Sequence, residues 1–255
     1  MKRRTFVKGA VTAVTAVTAL PGLEVLGGPS AGAPQAQAAS QAQELEPITL
    51  PKPEKDGGKS VLASLQDRRT IRDITPDPLP PQTLSNLLWA AFGVNRSEMG
   101  LMEKPGRTAA SASNSQEIDL YVALPQGVYL YEAVPHRLTP IAAGDFRARS
   151  GRRAAVTAPV NIFYVVDLTR YVVGEGQPDR HIADPEVQKS YFYVATGLIA
   201  ANVYLFAASQ GLAAWFHNCN RDETVKEFKL RPEQRVLFAQ TVGYPKKAVP
   251  DPAVG

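Results

Sequence analysis

The stretch from Pro185 to Gln210 constrains this chain more than any other part of it. Its inner run, Tyr193-Val194-Ala195-Thr196-Gly197-Leu198-Ile199-Ala200-Ala201-Asn202-Val203-Tyr204-Leu205-Phe206-Ala207-Ala208, carries no charge and is apolar almost all the way round. A helix of that composition must be buried on most of its sides. Its own domain can enclose it, or a second subunit can cover part of it. In a domain this small the second arrangement is the easier one, which favours a homodimer.

The chain can build a core: its 255 residues are 44% hydrophobic and 8% aromatic, with charges of both signs. Its start has another character. Lys2-Arg3-Arg4-Thr5-Phe6-Val7-Lys8 precedes an Ala/Val/Thr stretch to Leu20 and a small-residue segment ending Ala36-Gln37-Ala38. These are the three regions of a secretory leader, residues 1–38. The apolar stretch is too short and too rich in threonine for a spanning helix, so the mature protein reads as soluble; an uncleaved leader acting as an anchor is the alternative. The arginine pair with Thr5, Phe6, Val7 and Lys8 resembles a twin-arginine export signal, whose pathway carries proteins already folded, often around a cofactor. An ordinary secretory leader is the rival reading.

Loss of residues 1–38 removes four positive charges and one negative, so a net +4 becomes +1. No case for nucleic acid survives. The single cysteine, Cys219, excludes an intramolecular disulfide. His136, His181 and His217 lack metal-ligand spacing, and no metal is expected. There is no Gly-x-Ser-x-Gly elbow, no Walker A loop and no Gly-x-Gly-x-x-Gly.

A Gln-, Ala- and Pro-rich linker, 39–58, disordered or draped on the surface, leads into a folded domain at 59–247, with a tail at 248–255. Ser60 caps a helix to Asp67 that places Val61, Leu62 and Leu65 on one face. A second helix starts at the Pro80-Pro81 pair and is closed by Gly93. Ile118–Leu124 and Val128–Glu132 alternate as a hairpin-like strand pair. Val160–Val166 is nearly all apolar, hence a central strand covered on both faces. After the long helix, Ala213–Cys219 reads as a strand, Asp222–Leu230 as a helix and Arg235–Val242 as a last strand. The order is mixed α and β without strict βαβ repetition.

Between the first two helices, Arg68-Arg69-Thr70-Ile71-Arg72 packs three guanidinium groups and a hydroxyl into five residues. Guanidinium groups hold phosphate oxygens through paired, planar, charge-assisted hydrogen bonds, and a threonine hydroxyl adds a donor. Alternatively, the charges only complement the helix C-terminus.

Leu87-Leu88-Trp89-Ala90-Ala91-Phe92-Gly93, then Arg107-Thr108-Ala109-Ala110-Ser111-Ala112-Ser113-Asn114, then Leu120-Tyr121-Val122 together resemble the nitroreductase-like flavoproteins. Gly127-Val128-Tyr129-Leu130-Tyr131-Glu132, His136-Arg137-Leu138, Gly144-Asp145 and Ala158-Pro159-Val160 continue the likeness in order, closest to the SagB-type, thiazole/oxazole-forming dehydrogenase branch. The resemblance covers roughly residues 60–247. It implies an α+β fold in which helices flank a central mixed or antiparallel sheet and a long buried helix forms the dimer core. It also implies a homodimer with FMN at the subunit interface.

By position, the family's Arg-Arg-Ser-x-Arg motif falls on Arg68, Arg69, Thr70 and Arg72, implying contacts to the FMN phosphate, ribityl or pyrimidine oxygens. Its polar loop falls on Ala110, Ser111, Ala112, Ser113, Asn114 and Gln116, with Ala110 where a proline is usual. The Ala213–Cys219 segment, with Asn218 and Cys219, stands where the family directs backbone amides at the flavin ring, and Lys246 and Lys247 stand near a basic phosphate-holding position. Lys189 and Tyr191 are the nearby candidates for the catalytic Lys-Tyr pair of the SagB-type branch.

The chemistry implied needs few catalytic side chains, because FMN itself accepts hydride at N5. In the reductases a nicotinamide donor reduces the flavin and a nitroaromatic or quinone takes the hydride; in the SagB-type branch a peptide azoline is oxidised to an azole. An exported enzyme meets little nicotinamide, which points to another donor or to a quinone-like acceptor. A flavin-binding module of the same fold that no longer catalyses and serves as an assembly partner is the alternative.

Overall fold

The computed structural model describes residues 45–99, 104–152, 155–173, 177–178 and 182–247. The leader, the tail and His181 lie outside the described residues. In chain order the elements are β1 (Ile48–Thr49), α1 (Val61–Asp67), α2 (Pro81–Phe92), β2 (Val94–Met99), β3 (Pro105–Arg107), β4 (Ile118–Leu124), β5 (Gly127–Glu132), β6 (Arg137–Ala143), β7 (Val160–Asp167), β8 (Val172–Val173), β9 (Gln177–Pro178), α3 (Pro185–Ser209), β10 (Ala213–His217), α4 (Arg221–Glu227) and β11 (Gln234–Gly243).

Seven strands form one sheet in the order β1-β6-β5-β4-β7-β11-β10. Every neighbouring pair in it is antiparallel. All eight residues of β7 are buried, as its apolar run requires of a central strand. Alternation sorts the side chains of β4 and β7 to two faces. Leu120, Val122, Ile162 and Tyr164 pack with Leu87 and Leu88 of α2 and Ile199 and Val203 of α3. Tyr121, Ala123, Phe163 and Val165 meet Phe228, just past α4, whose ring stacks on Tyr121 at 5.6 Å.

Helix starts follow their caps. Ser60 Oγ accepts from Ala63 N–H at 3.2 Å and Asp184 accepts from Glu186 N–H at 2.8 Å, with prolines opening α2 and α3. α3 is long and apolar enough to cross a membrane by length and composition, yet Phe192, Ala195, Ile199, Val203 and Ala207 are buried in this domain's core. The domain does not enclose it. Tyr193, Val194 and Leu198 are exposed, Val194 to 60%. α1 likewise turns Val61, Leu62 and Leu65 outward, Leu62 to 78%, and buries Ser64 instead.

Two features were not read from the sequence. β6 carries Pro140, which breaks the strand pattern; it faces Tyr129 at a register shift, beyond the two residues that pair with β1. The described part of the linker is tied down at its start. Ile48 and Thr49 pair with Leu138 and Arg137, Leu50 is buried, and Ser85 Oγ donates to Pro51 O at 2.6 Å.

Candidate functional site

The arginine run leaves α1 and follows the open edge of β10. Ile71 N–H donates to Ala214 O at 3.1 Å, Thr75 N–H to Tyr244 O at 2.8 Å, and Lys246 N–H to Asp73 O at 2.9 Å. Where this segment crosses the end of β11 only glycine fits. A Cβ on Gly243 would stand 2.6 Å from Ile74 Cγ2 and 2.7 Å from Pro159 Cδ. The crossing brings Lys246 to the loop that holds Arg68 to Arg72, with Lys247 next to it in the chain.

Aromatic rings hold two of the arginines. The guanidinium of Arg68 lies 5.6 Å from the ring of Tyr204 on α3, and that of Arg72 lies 5.5 Å from the ring of Trp215 on β10. Trp215 shares a sheet face with Ala239 and Phe163, whereas Tyr204 belongs to the α3 layer on the other face. The two arginines therefore reach the edge strand from its two faces. Thr70 Oγ1 and Tyr204 Oη are 3.1 Å apart, and Tyr204 Oη accepts from Phe216 N–H at 2.8 Å. Arg69 Nε donates to Asp67 O at 3.1 Å. Among the described residues none of Arg68, Arg69, Arg72, Lys246 and Lys247 forms an ion pair. Arg68 and Arg72, set on rings and without carboxylate partners, are free to meet an anion of phosphate type.

The Ser111–Gln116 loop is the second group. Ser113, Asn114 and Gln116 all have positive φ, 49°, 56° and 53°. For residues with a Cβ these left-handed conformations persist only where surroundings impose them. Gln116 does much of that. It is buried, its amide nitrogen donates to Pro105 O at 2.7 Å and to Asn114 Oδ1 at 2.9 Å, and its oxygen accepts from Arg107 Nε at 2.7 Å. Gln116, which the resemblance sets among the polar residues of the loop, braces it from the inside. Ser111 Oγ accepts from Gln116 N–H at 2.9 Å, and Lys104 Nζ donates to Ser115 O at 2.5 Å. Burial first, then the charge of Arg170, hold the Lys104 amine below its ordinary pKa. Ala112 lies at the start of the short 3-10 turn that this bracing shapes.

α3 joins the two groups. Asn202 Nδ2 donates to Thr108 O at 3.2 Å, at the root of the second loop, two residues before Tyr204 meets the first. A cavity of about 290 Å3 lies between α1, α2 and α3, lined by Ser64, Trp89, Thr108 and Asn202. Asn202, Tyr204 and Trp215 were not singled out from the sequence. Asn202 had one signal, a carboxamide in an otherwise apolar helix.

Asn218 and Cys219 follow β10. Asn218 is exposed and its carbonyl oxygen lies 2.8 Å from His217 Nδ1. Cys219 packs toward the Phe163 and Phe228 cluster, and burial pushes its thiol up to about 11. Burial also lowers the pKa of His217, whose Nε2 lies 2.9 Å from Thr241 Oγ1. Of the two Lys-Tyr candidates, Lys189 is exposed beside Glu186 at 3.7 Å, and Tyr191 packs against the core. Among the described residues no group of His, Cys, Asp and Glu could hold a metal ion.

Residues 65–244 match the model of the nitroreductase family. A Methanocaldococcus jannaschii protein provisionally named a nitroreductase is 26% identical over 182 residues, 69% of this chain and 86% of its own length. A crystal structure of a Ralstonia eutropha JMP134 protein, also provisionally named a nitroreductase, is 33% identical with a TM-score of 0.69, covering 79% of this chain and 90% of its own. The NADPH:FMN oxidoreductase of Vibrio harveyi, solved with NAD+, is 17% identical with a TM-score of 0.51, covering 76% and 73% of the two chains, a likeness of fold.

Proposed function

The chain belongs to the nitroreductase family, and on that premise we propose that it is an FMN-dependent oxidoreductase. The observation that carries this reading is the group of unpaired cations at the edge of β10, with Arg68 and Arg72 set on aromatic rings. Arg68, Thr70, Arg72, Lys246 and Lys247 would hold the phosphate. The Ser111–Asn114 loop would take the ribityl chain or the pyrimidine edge, and the chain around Asn218 and Cys219 would border the ring. FMN bound there would supply two-electron chemistry through its N5, which explains why no acid–base pair is needed in the site. The Vibrio harveyi protein that shares the fold is named an NADPH:FMN oxidoreductase, in keeping with that cofactor class.

The same reading includes a homodimer, supported by the exposed apolar faces of α1 and α3, and export through the twin-arginine-type leader with the cofactor loaded beforehand. The SagB-type likeness makes oxidation of a peptide azoline the finer option for the direction of hydride flow. The test is an absorption spectrum of the protein purified folded from the cytoplasm. A flavin band near 450 nm, bleached by dithionite and released by heat as FMN, is the expected result. Absence of flavin after incubation with FMN would refute the proposal, and flavin that bleaches but never reoxidises with any acceptor would mark a binding module.

A further inference from the structure

The hairpin of β2 and β3 stands beside the Ser111–Asn114 loop, and between them is a cavity of about 460 Å3. Its lining includes Ser111 and Asn114 on one side and Asn95, Arg96, Glu98 and Arg107 on the other. That size suits a small organic molecule. A molecule in it would lie against whatever the loop holds.

Arg96 lies over the backbone of the facing strand there. It pairs in register with Gly106, and a Cβ on Gly106 would come within 2.5 Å of Arg96 Nη2 and 2.6 Å of its Cζ and Nε. The guanidinium of this exposed arginine thus lies over bare backbone, and a side chain at position 106 would make it shift. Arg107 is committed, through Nε to Gln116 and through Nη1 to Phe92 O at 3.0 Å. Arg96 makes no ion pair and no hydrogen bond among the described residues. Its five N–H donors, fixed in a planar fork that suits a carboxylate, remain for a ligand. The lining carries two guanidinium groups against the single carboxylate of Glu98.

We infer that this cavity is a substrate subsite that selects a small molecule bearing a carboxylate, and that Arg96 is its specificity-determining residue. The inference rests on the flavin reading only in calling the bound anion a substrate.

The probes are benzoate and its neutral analogue benzamide, titrated calorimetrically into the full-length protein, with flavin content read separately at 450 nm. Wild type should prefer benzoate. Arg96→Gln should weaken benzoate about tenfold, as expected for one charge-assisted contact partly open to water, and leave benzamide within about twofold and flavin content unchanged. Gly106→Ala displaces the guanidinium without removing its charge and should weaken benzoate in the same direction. Glu98→Gln should strengthen it. Equal affinity for the two probes in wild type, unchanged benzoate affinity in Arg96→Gln, or loss of flavin from that variant would each overturn the inference. A benzoate preference in protein that takes up no flavin would support the anion cavity while refuting the flavin reading, so the two failures are distinguishable.

Discussion

Arg68 and Arg72 are each set on an aromatic ring, Tyr204 and Trp215, on different faces of the sheet. Both guanidinium groups are exposed, so neither contributes much to folding. Arg68→Ala and Arg72→Ala should each weaken FMN binding about tenfold or more, since a hydrogen bond to a charged group is worth about 1.5–3 kcal/mol. The melting temperature of the apo-protein should barely change; fluorescence titration with FMN and calorimetry separate the two effects. Cys219 behaves oppositely. With its thiol held near 11 by burial, little thiolate exists at neutral pH, so iodoacetamide should label it slowly in the native protein and readily in denaturant, as mass spectrometry would record. The arginine run was legible in the sequence because its residues are contiguous and chemically unusual. Tyr204 and Trp215 were not, because an aromatic residue in an apolar segment looks the same whether it fills a core or carries a cation. Gln116 was legible as a polar loop residue, but not the inward direction of its amide, which depends on Arg107 and Pro105.

At the scale of elements, the β1 strap and the Gln116-braced loop are the parts whose hold can be measured. Ser85 Oγ gives its proton to Pro51 O and lies 2.7 Å from His136 Nε2, while Tyr131 Oη lies 3.0 Å from His136 Nδ1. A neutral His136 protonated on Nε2 satisfies every partner, and burial lowers its pKa from 6.5. Burial likewise lowers that of His217. A histidine depressed in the folded state is protonated first in the unfolded chain, so its stabilisation is complete above about pH 6.5 and is lost as pH falls below it. The melting temperature should therefore drop from pH 7.5 to 5.5, and drop less in His136→Asn, which tolerates the residue's φ of 49° but cannot bridge Ser85 and Tyr131. For the loop, Gln116→Ala removes the hydrogen-bond partner of Arg107 Nε and of Pro105 O; it should cost about 1–3 kcal/mol in urea unfolding. The helices were readable from caps and apolar spacing, and β7 from its unbroken apolar run. β6 was not, because Pro140 hides the alternation, and β1 was not, because two strand residues inside a Pro-rich segment leave no periodic trace.

On the scale of the whole molecule, two helices present apolar surface that this single domain leaves uncovered, Val61, Leu62 and Leu65 on α1 and Tyr193, Val194 and Leu198 on α3. The proposed second copy, covering those faces, would account for the length and composition of α3. Val194→Glu with Leu198→Glu should shift a dimer to monomer in sedimentation velocity without unfolding the domain, because both side chains already face water. If the wild type sediments as a monomer at micromolar concentration, the dimer is refuted. α1 carries that apolar face and, at its C-terminal cap, Arg68. An anion seated on Arg68 and a partner seated on Val61, Leu62 and Leu65 would grip the same short helix and its cap. By thermodynamic reciprocity, whatever factor assembly adds to cofactor affinity, the cofactor returns to assembly. Dilution alone would then strip the protein of its cofactor.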